Sequence, residues 1–358
     1  MKRAIGKCWR DSASLIVATK RHPNIVPVKA NADNYNYDIL LQTRTHTASF
    51  ANSVVFPGGV CEAADGDEGW FKHLNTFGFT QCDFDSLHQF GSPSTLLFEN
   101  NPVQRHVALR ITAIRETFEE LGLLFCSRDH KSERGNEWAS LLSIDDLKYW
   151  RQRISKNPAD LLVLCKEYKC YPDIWSLYYW STWLTPSNQP RRFATAFFVT
   201  ALESKPLNVY SNSEVVNVKW LSPQQVLNSS KKLEVVLYPP QTYEFIRLGY
   251  LHDINQLVSF AKERSRHSNI SLYPVYLYAK DGIIALLPGD HLYPSELDVN
   301  DKEFPKEDKT VLELRGNNQP LHRIEKTKTR VEIVIQNYET ENHVNMNNIV
   351  TAFPGLVH

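Results

Sequence analysis

Two spacings of apolar residues alternate along the chain. Residues 12–20 (SASLIVATK) and 37–44 (YDILLQTR) are short β-branched and apolar runs set among Pro, Asn and Asp, and they predict a hairpin-like pair of strands. A third run, 53–56 (SVVF), stops at Pro57, Gly58 and Gly59, where a sharp turn can bring backbone close to a ligand. From 65 to 102 the spacing becomes that of short amphipathic helices, with Trp70, Leu74 and Phe77 on one face and Phe84, Leu87 and Phe90 on another. The clearest helix is 107–125, where Ala108, Ile111, Ile114, Phe118 and Leu121 form an apolar stripe opposite a charged side and Gly122 offers a stop.

Helical patterns at 137–154 and 157–168 lead into strand-like runs at 175–184 (WSLYYWSTWL), 191–202 (RRFATAFFVTAL) and 215–221 (VVNVKWL). Ser222 and Pro223 then open a helix as its cap and first residue. A helical stretch covers 242–265, and 273–290 predicts a hairpin across Asp281-Gly282, which TVLELRG (310–316) and TRVEIVIQNY (329–338) continue with strand-like alternation. No fixed-period repeat interrupts this order. Because no Gly/Ser or Pro linker divides the chain, the expected organisation is a first domain over 1–235 and a C-terminal extension, 236–358, packed on it.

Of the 358 residues 42% are apolar and 22% charged, enough for a sizeable core. Forty basic residues balance forty acidic ones, so no global field favours nucleic acid, an anionic membrane or an acidic partner, and an anionic ligand has to be met locally. No apolar run approaches the ~18 residues of a membrane span, and the run at 15–18 is too short for a secretory signal, so a soluble, non-secreted protein is expected. The six cysteines contain no C-x-x-C pair and no His follows at zinc-finger spacing, which predicts free thiols in a reducing compartment.

In RETFEELG (115–122), Glu116, Glu119 and Glu120 stand at i, i+3 and i+4, on one helical face. Like charges at that spacing repel unless a cation sits among them, and hard ions such as Mg²⁺ or Mn²⁺ prefer such oxygens. Taken alone the pattern more often marks a solvated face. The stretch FPGGVCEAAD (56–65) changes that reading. A strand ending in Phe-Pro-Gly-Gly, an acidic residue six positions on, and R-E-x-x-E-E-x-G together resemble the Nudix box, G-x5-E-x7-R-E-U-x-E-E-x-G-U with U aliphatic. Gly58 precedes the box and Gly59 opens it. Asp65 takes the first acidic position in place of Glu, and Arg115, Glu116, Glu119, Glu120, Gly122 and Leu123 fill the second half.

About 42 extra residues, 66–107, interrupt the box. Lengthening a loop costs only about 0.6 kcal/mol per doubling, so Asp65 and Arg115 are still expected to meet in space. An interrupted box of this kind resembles one subgroup of the Nudix hydrolases, the peroxisomal coenzyme A diphosphatases known as nucleoside diphosphate-linked moiety X motif 19. LLQTR (40–44), WLTP (183–186), RRFATAFF (191–198), KWLSP (219–223), YPPQTYE (238–244) and LLPGDHLYP (286–294) agree with it.

The resemblance implies an α/β fold: a Nudix α/β/α sandwich with a mixed sheet, a helical insertion inside the box, and a C-terminal helix followed by a β-rich extension. It implies an Mg²⁺- or Mn²⁺-dependent diphosphatase that splits coenzyme A or acyl-CoA into 3′,5′-ADP and (acyl-)4′-phosphopantetheine. The alternatives are a Nudix hydrolase of NADH, ADP-ribose or capped RNA, and a Nudix-fold binding protein whose catalysis has lapsed. Nucleic acid enters only as capped RNA, no membrane partner is expected, and the oligomeric state stays open.

By the same resemblance Glu116, Glu119 and Glu120 hold the metal, one of them being the base, the Gly59 carbonyl adds a ligand, and Arg115 fixes a carboxylate. Glu214, six residues before Trp220, is the candidate carboxylate from outside the box, or else a solvated loop residue. Arg44 in LLQTR is a candidate for substrate binding, although the subgroup's second Arg is missing and Ser49 stands near its place. Arg191 and Arg192 are candidates for phosphate contact or are solvated. Trp175, Tyr178, Tyr179, Trp180 and Trp183 could stack an adenine or belong to the core, and the insertion could be a lid, a dimer surface or decoration. The subgroup is peroxisomal, but the ending Leu356-Val357-His358 does not match a Ser-Lys-Leu address, which keeps the cytosol and mitochondrion as alternatives.

Overall fold

A computed structural model describes residues 9–21, 34–45, 53–88, 97–133, 138–212, 215–267, 270–297, 304–340, 342–346 and 348–354. The first part of the chain runs β1 (Arg10–Lys20), β2 (Tyr37–Arg44), β3 (Val54–Val55), β4 (Gly58–Val60), α1 (Gly69–Asn75), α2 (Gln81–Asp85) and α3 (Pro102–Leu121). Next come β5 (Cys126–Ser127), α4 (Leu147–Lys156), α5 (Asp160–Glu167), β6 (Tyr171–Pro172), β7 (Tyr178–Leu184), β8 (Phe193–Leu202) and β9 (Val215–Leu221). The remainder holds α6 (Pro223–Lys231), α7 (Pro239–Leu248), α8 (Ile254–Arg264), β10 (Val275–Ala279), β11 (Gly282–Leu286), β12 (Leu321–Thr327), β13 (Arg330–Gln336) and β14 (Ile349–Pro354).

The main sheet has the order β3-β2-β1-β8-β7, with β4 also paired to β1 and β9 to β2. It is mixed: β1 is antiparallel to β2, as the paired runs predicted, and parallel to β8. Both faces are covered, so successive side chains of a strand enter different cores. Leu15, Val17, Leu40 and Phe198 join one core with α3 and the insertion. Ile16, Ala18, Ile39, Leu41, Phe197 and Val199 join another with α7, α8 and the inner face of the C-terminal sheet. That sheet, β10 to β14, is an antiparallel meander.

Several elements differ from the reading by periodicity. Gly58 and Gly59 do not form a free turn; they are strand residues, opposite Ser14 and Ala13 of β1. Helix α3 begins at Pro102, which as its first residue loses no intrahelical hydrogen bond, and ends when Gly122 adopts φ 72°. Part of its charged side is buried as well: Arg110 lies over Phe198 and donates to the Leu177 carbonyl, while Arg115 and Glu120 bond to β4. The helix expected from 137 begins at Leu147. The stretch 242–265 breaks into α7 and α8 because the hydroxyls of Tyr35 and Tyr37 take the carbonyls of Gly249, Leu248 and Leu251, and Asp253 recaps the chain by accepting from the N–H groups of Asn255 and Gln256. TVLELRG forms a short 3₁₀ turn, Glu313–Arg315, rather than a strand.

The insertion's apolar stripes face inward. Trp70, Leu74, Phe84 and Leu87 enter the first core, Phe79 stacks on Trp175 at 3.7 Å, and the Trp70 indole donates to the Ala64 carbonyl. These stripes therefore complete the domain's own core rather than an apolar lid or dimer face. Phe90 lies outside the described residues.

Candidate active site

The site is built where α3 crosses the strand β4. A 3₁₀ turn, Ala63–Gly66, follows that strand, and Asp65 within it accepts from the Glu62 N–H at 2.9 Å, which folds the carboxylate back toward α3. There Arg115 meets it with both arms of the fork: Nε to Oδ1 and Nη2 to Oδ2, each at 2.8 Å. The shorter Asp65 side chain thus reaches its partner across the insertion. Thr112, one turn back along α3, donates to the same Oδ2 at 2.9 Å.

The rest of the guanidinium orders the box. Nη1 donates to Glu116 Oε1 and Glu119 Oε1, both at 2.9 Å, and Nη2 also reaches the Val60 carbonyl at 2.8 Å. Glu120 has other partners. Its Oε2 accepts from the Gly58 N–H at 3.0 Å and from Gln42 Nε2 at 2.8 Å, tying α3 to both β4 and β2. Exposure separates the carboxylates: Asp65 and Glu120 are buried, whereas the side chains of Glu116 and Glu119 keep 18% and 13% of their surface open. The latter two are thus the less enclosed pair.

Gly59 has to lack a side chain, since a Cβ there would lie 2.4 Å from the Glu116 carboxylate carbon. At the helix end, Arg151 from α4 donates to the carbonyls of Glu119 at 2.8 Å and Glu120 at 3.0 Å, satisfying groups the helix leaves open.

Electrostatically the cluster is short of positive charge. Burial raises Glu116 to about 7 against the pull of Arg115, with Glu119 adding repulsion. Burial raises Glu119 too. Although burial disfavours its charge, Arg115 is held firmly protonated by its hydrogen bond to Asp65 and by the neighbouring carboxylates. Hard oxygens crowded around one guanidinium are a donor set suited to a divalent cation.

The other candidates fall at varying distances from this description. Arg44 ends β2 with its Cα opposite Val215, but its side chain, Ser49 and the whole of Glu214 lie outside the described residues. Arg191 is exposed, while Arg192 lies over the Trp9 ring at 4.2 Å, just ahead of the β8 end that pairs with Arg10. Trp180 and Trp183 are core: their indoles donate to the buried Glu244. Periodicity missed Gln42, Thr112 and Arg151, which look like ordinary strand and helix residues until the partner elements are in place. It also missed that Cys126, Cys165 and Cys170 converge. Among the described residues no helix is long and apolar enough to cross a membrane.

A mixed sheet between helical layers, with an R-E-x-x-E-E helix lying against a Gly-Gly strand, defines a Nudix hydrolase. The solved structure of a NUDIX hydrolase from Alicyclobacillus acidocaldarius has this fold, with a TM-score of 0.50 at 18% identity, covering 70% of this chain and 96% of that one. Within that class the chain belongs to the NUDT19 family: the NUDT19 Nudix domain matches residues 9–248 and the NUDT19 C-terminal domain residues 276–337. It is 34% identical over 315 residues to the acyl-coenzyme A diphosphatase NUDT19 of Xenopus laevis, covering 82% of this chain and 83% of that one. Over 335 residues it is 33% identical to the protein of that name from Homo sapiens, covering 88% of each.

Proposed function

We propose that this protein hydrolyses the diphosphate of coenzyme A or its acyl esters to 3′,5′-ADP and (acyl-)4′-phosphopantetheine. The observation that carries the reading is the closure of the box across its insertion: Arg115 grips Asp65 and orders Glu116 and Glu119, in a chain whose relatives are named acyl-coenzyme A diphosphatases. We assign the divalent ion to Mg²⁺ or Mn²⁺, held by Glu116 and Glu119 with Glu120 and the Gly59 carbonyl behind them. When bound, it neutralises the diphosphate and lowers the pKa of the attacking water. A carboxylate oxygen of Glu116 or Glu119 accepts the water's proton as its oxygen bonds to phosphorus and the anhydride P–O bond breaks. Glu214 is a further candidate for that proton.

In the same reading Arg115 holds the two glutamates in one rotamer. Gly58, Asp65 and Gly122 are structural, and Arg44, Arg191 and Arg192 meet the substrate's phosphates. We assign 1–235 to the catalytic domain and 236–358 to an extension packed on it, and we place the enzyme in the peroxisome. A fluorescent protein fused ahead of Met1 tests the location, and a purely cytosolic or mitochondrial signal refutes it.

Product analysis tests the activity. Purified full chain with Mg²⁺ or Mn²⁺ is offered coenzyme A, NADH, ADP-ribose and capped RNA in parallel, with Glu119→Gln as the blank. Preferential release of 3′,5′-ADP from coenzyme A is expected. Preference for another substrate refutes the substrate assignment, and no turnover of any refutes the enzyme.

A further inference from the structure

Outside the carboxylate site, one cluster of reactive groups stands out among the described residues. The sulfurs of Cys126, Cys165 and Cys170 all lie within 4.8 Å of one another, and all three residues are buried and free of disulfides. They come from three segments: β5, the last turn of α5, and the residue entering β6. We propose that these three thiols form a structural zinc site that shares no residue with the catalytic cluster.

The geometry fits with little movement. A point inside a triangle with no side above 4.8 Å can lie within about 2.8 Å of every corner, against roughly 2.3 Å for a zinc–thiolate bond. The chemistry fits as well. Thiolate sulfur is a preferred ligand of zinc, and three such sulfurs from separate segments converge here. The Arg128 guanidinium lies close enough to act on Cys170, and supplies compensating charge for a thiolate-rich site. His73, on the insertion helix α1, ties that helix beside the cluster by donating from Nε2 to the Cys170 carbonyl at 2.7 Å, and so stands outside the ligand set. Thiolate sulfur suits zinc, whose fourth position a water can fill.

The location gives such a site a purpose. Between α3 and β7 the backbone is held to itself by a two-residue ladder, Cys126 opposite Pro172 and Ser127 opposite Tyr171. A metal there would pin that ladder to α5. Motif spacing cannot reveal it, because ligands at 126, 165 and 170 are joined by the fold alone.

The test uses the full chain purified without added metal, dialysed against EDTA to strip weakly held hard ions, and analysed for elements. About one zinc per chain is expected. It should persist in Glu119→Gln and fall at least tenfold in Cys165→Ser. Should that variant not fold, titration of the folded wild-type protein with a mercurial, which should release zinc in step with three thiols, replaces it. A zinc-free wild-type protein whose melting temperature zinc does not raise overturns the proposal. Zinc retained after the three thiols are blocked overturns it too, as do two thiols missing from a denatured, unreduced sample, which would mean a disulfide.

Discussion

Arg115 has five N–H donors and the structure uses them on Asp65, Glu116, Glu119 and the Val60 carbonyl, so one side chain sets the positions of three carboxylates. A lysine carries the charge but not the fork. Arg115→Lys is therefore expected to leave Asp65 only partly satisfied, lowering kcat by at least tenfold while the secondary structure seen by circular dichroism is retained. Unchanged kcat in steady-state assays would show that Glu116 and Glu119 need no such ordering. Gly59→Ala addresses the same geometry from the strand. The new Cβ would enter the space of the Glu116 carboxylate, and a misplacement of about 1 Å is worth roughly 100-fold in rate. Single-turnover kinetics at saturating metal should show that loss with little change in melting temperature.

At the scale of elements, α3 and the insertion decide what was legible. The stripe from Ala108 to Leu121 announced the helix and RETFEELG its chemistry, because both depend on spacing within one element. The Gly58–Gly59 strand was misread as a turn because pairing with β1 is a property of two distant segments, and Arg151 was missed for the same reason. Its guanidinium sits on the carbonyls of Glu119 and Glu120, where a cation also opposes the negative end of the helix. Arg151→Met should cost about 1–2 kcal/mol in urea denaturation, the range for a favourable, partly buried charge at a helix C-terminus. The insertion was legible as helical but not in purpose. Since Trp70 is 1% exposed within the first core, Trp70→Ala is expected to destabilise by about 3–5 kcal/mol, whereas a decorative insertion would tolerate it.

For the whole molecule, the C-terminal sheet shares the second core with the catalytic sheet, so Tyr243 and Trp180 pack in one cluster with Ile324, Ile333 and Phe353. The LLPGDHLYP segment anchors it: Asp290 receives both arms of Arg323 and the His322 N–H. His322 itself is buried between the Pro288 carbonyl and the Tyr243 hydroxyl, each at 2.7 Å, and stacks on Tyr338. Burial lowers its pKa to about 4, with Arg247 lowering and the Pro288 carbonyl and Asp290 raising it. In the unfolded chain the same imidazole titrates near 6.5. Below about 6.5 the unfolded state therefore binds a proton that the native state refuses, and this contribution to stability declines as the pH falls toward 4. His106 and His343, also buried with lowered pKa values, act in the same direction. Urea midpoints measured from pH 7.5 down to pH 4.5 should fall in the wild-type protein and fall less steeply in His322→Gln, which keeps a donor and an acceptor but cannot gain the charge. Equal slopes in the two proteins would mean that His322 is not held neutral, and that the junction between the two sheets is wetter than its packing indicates.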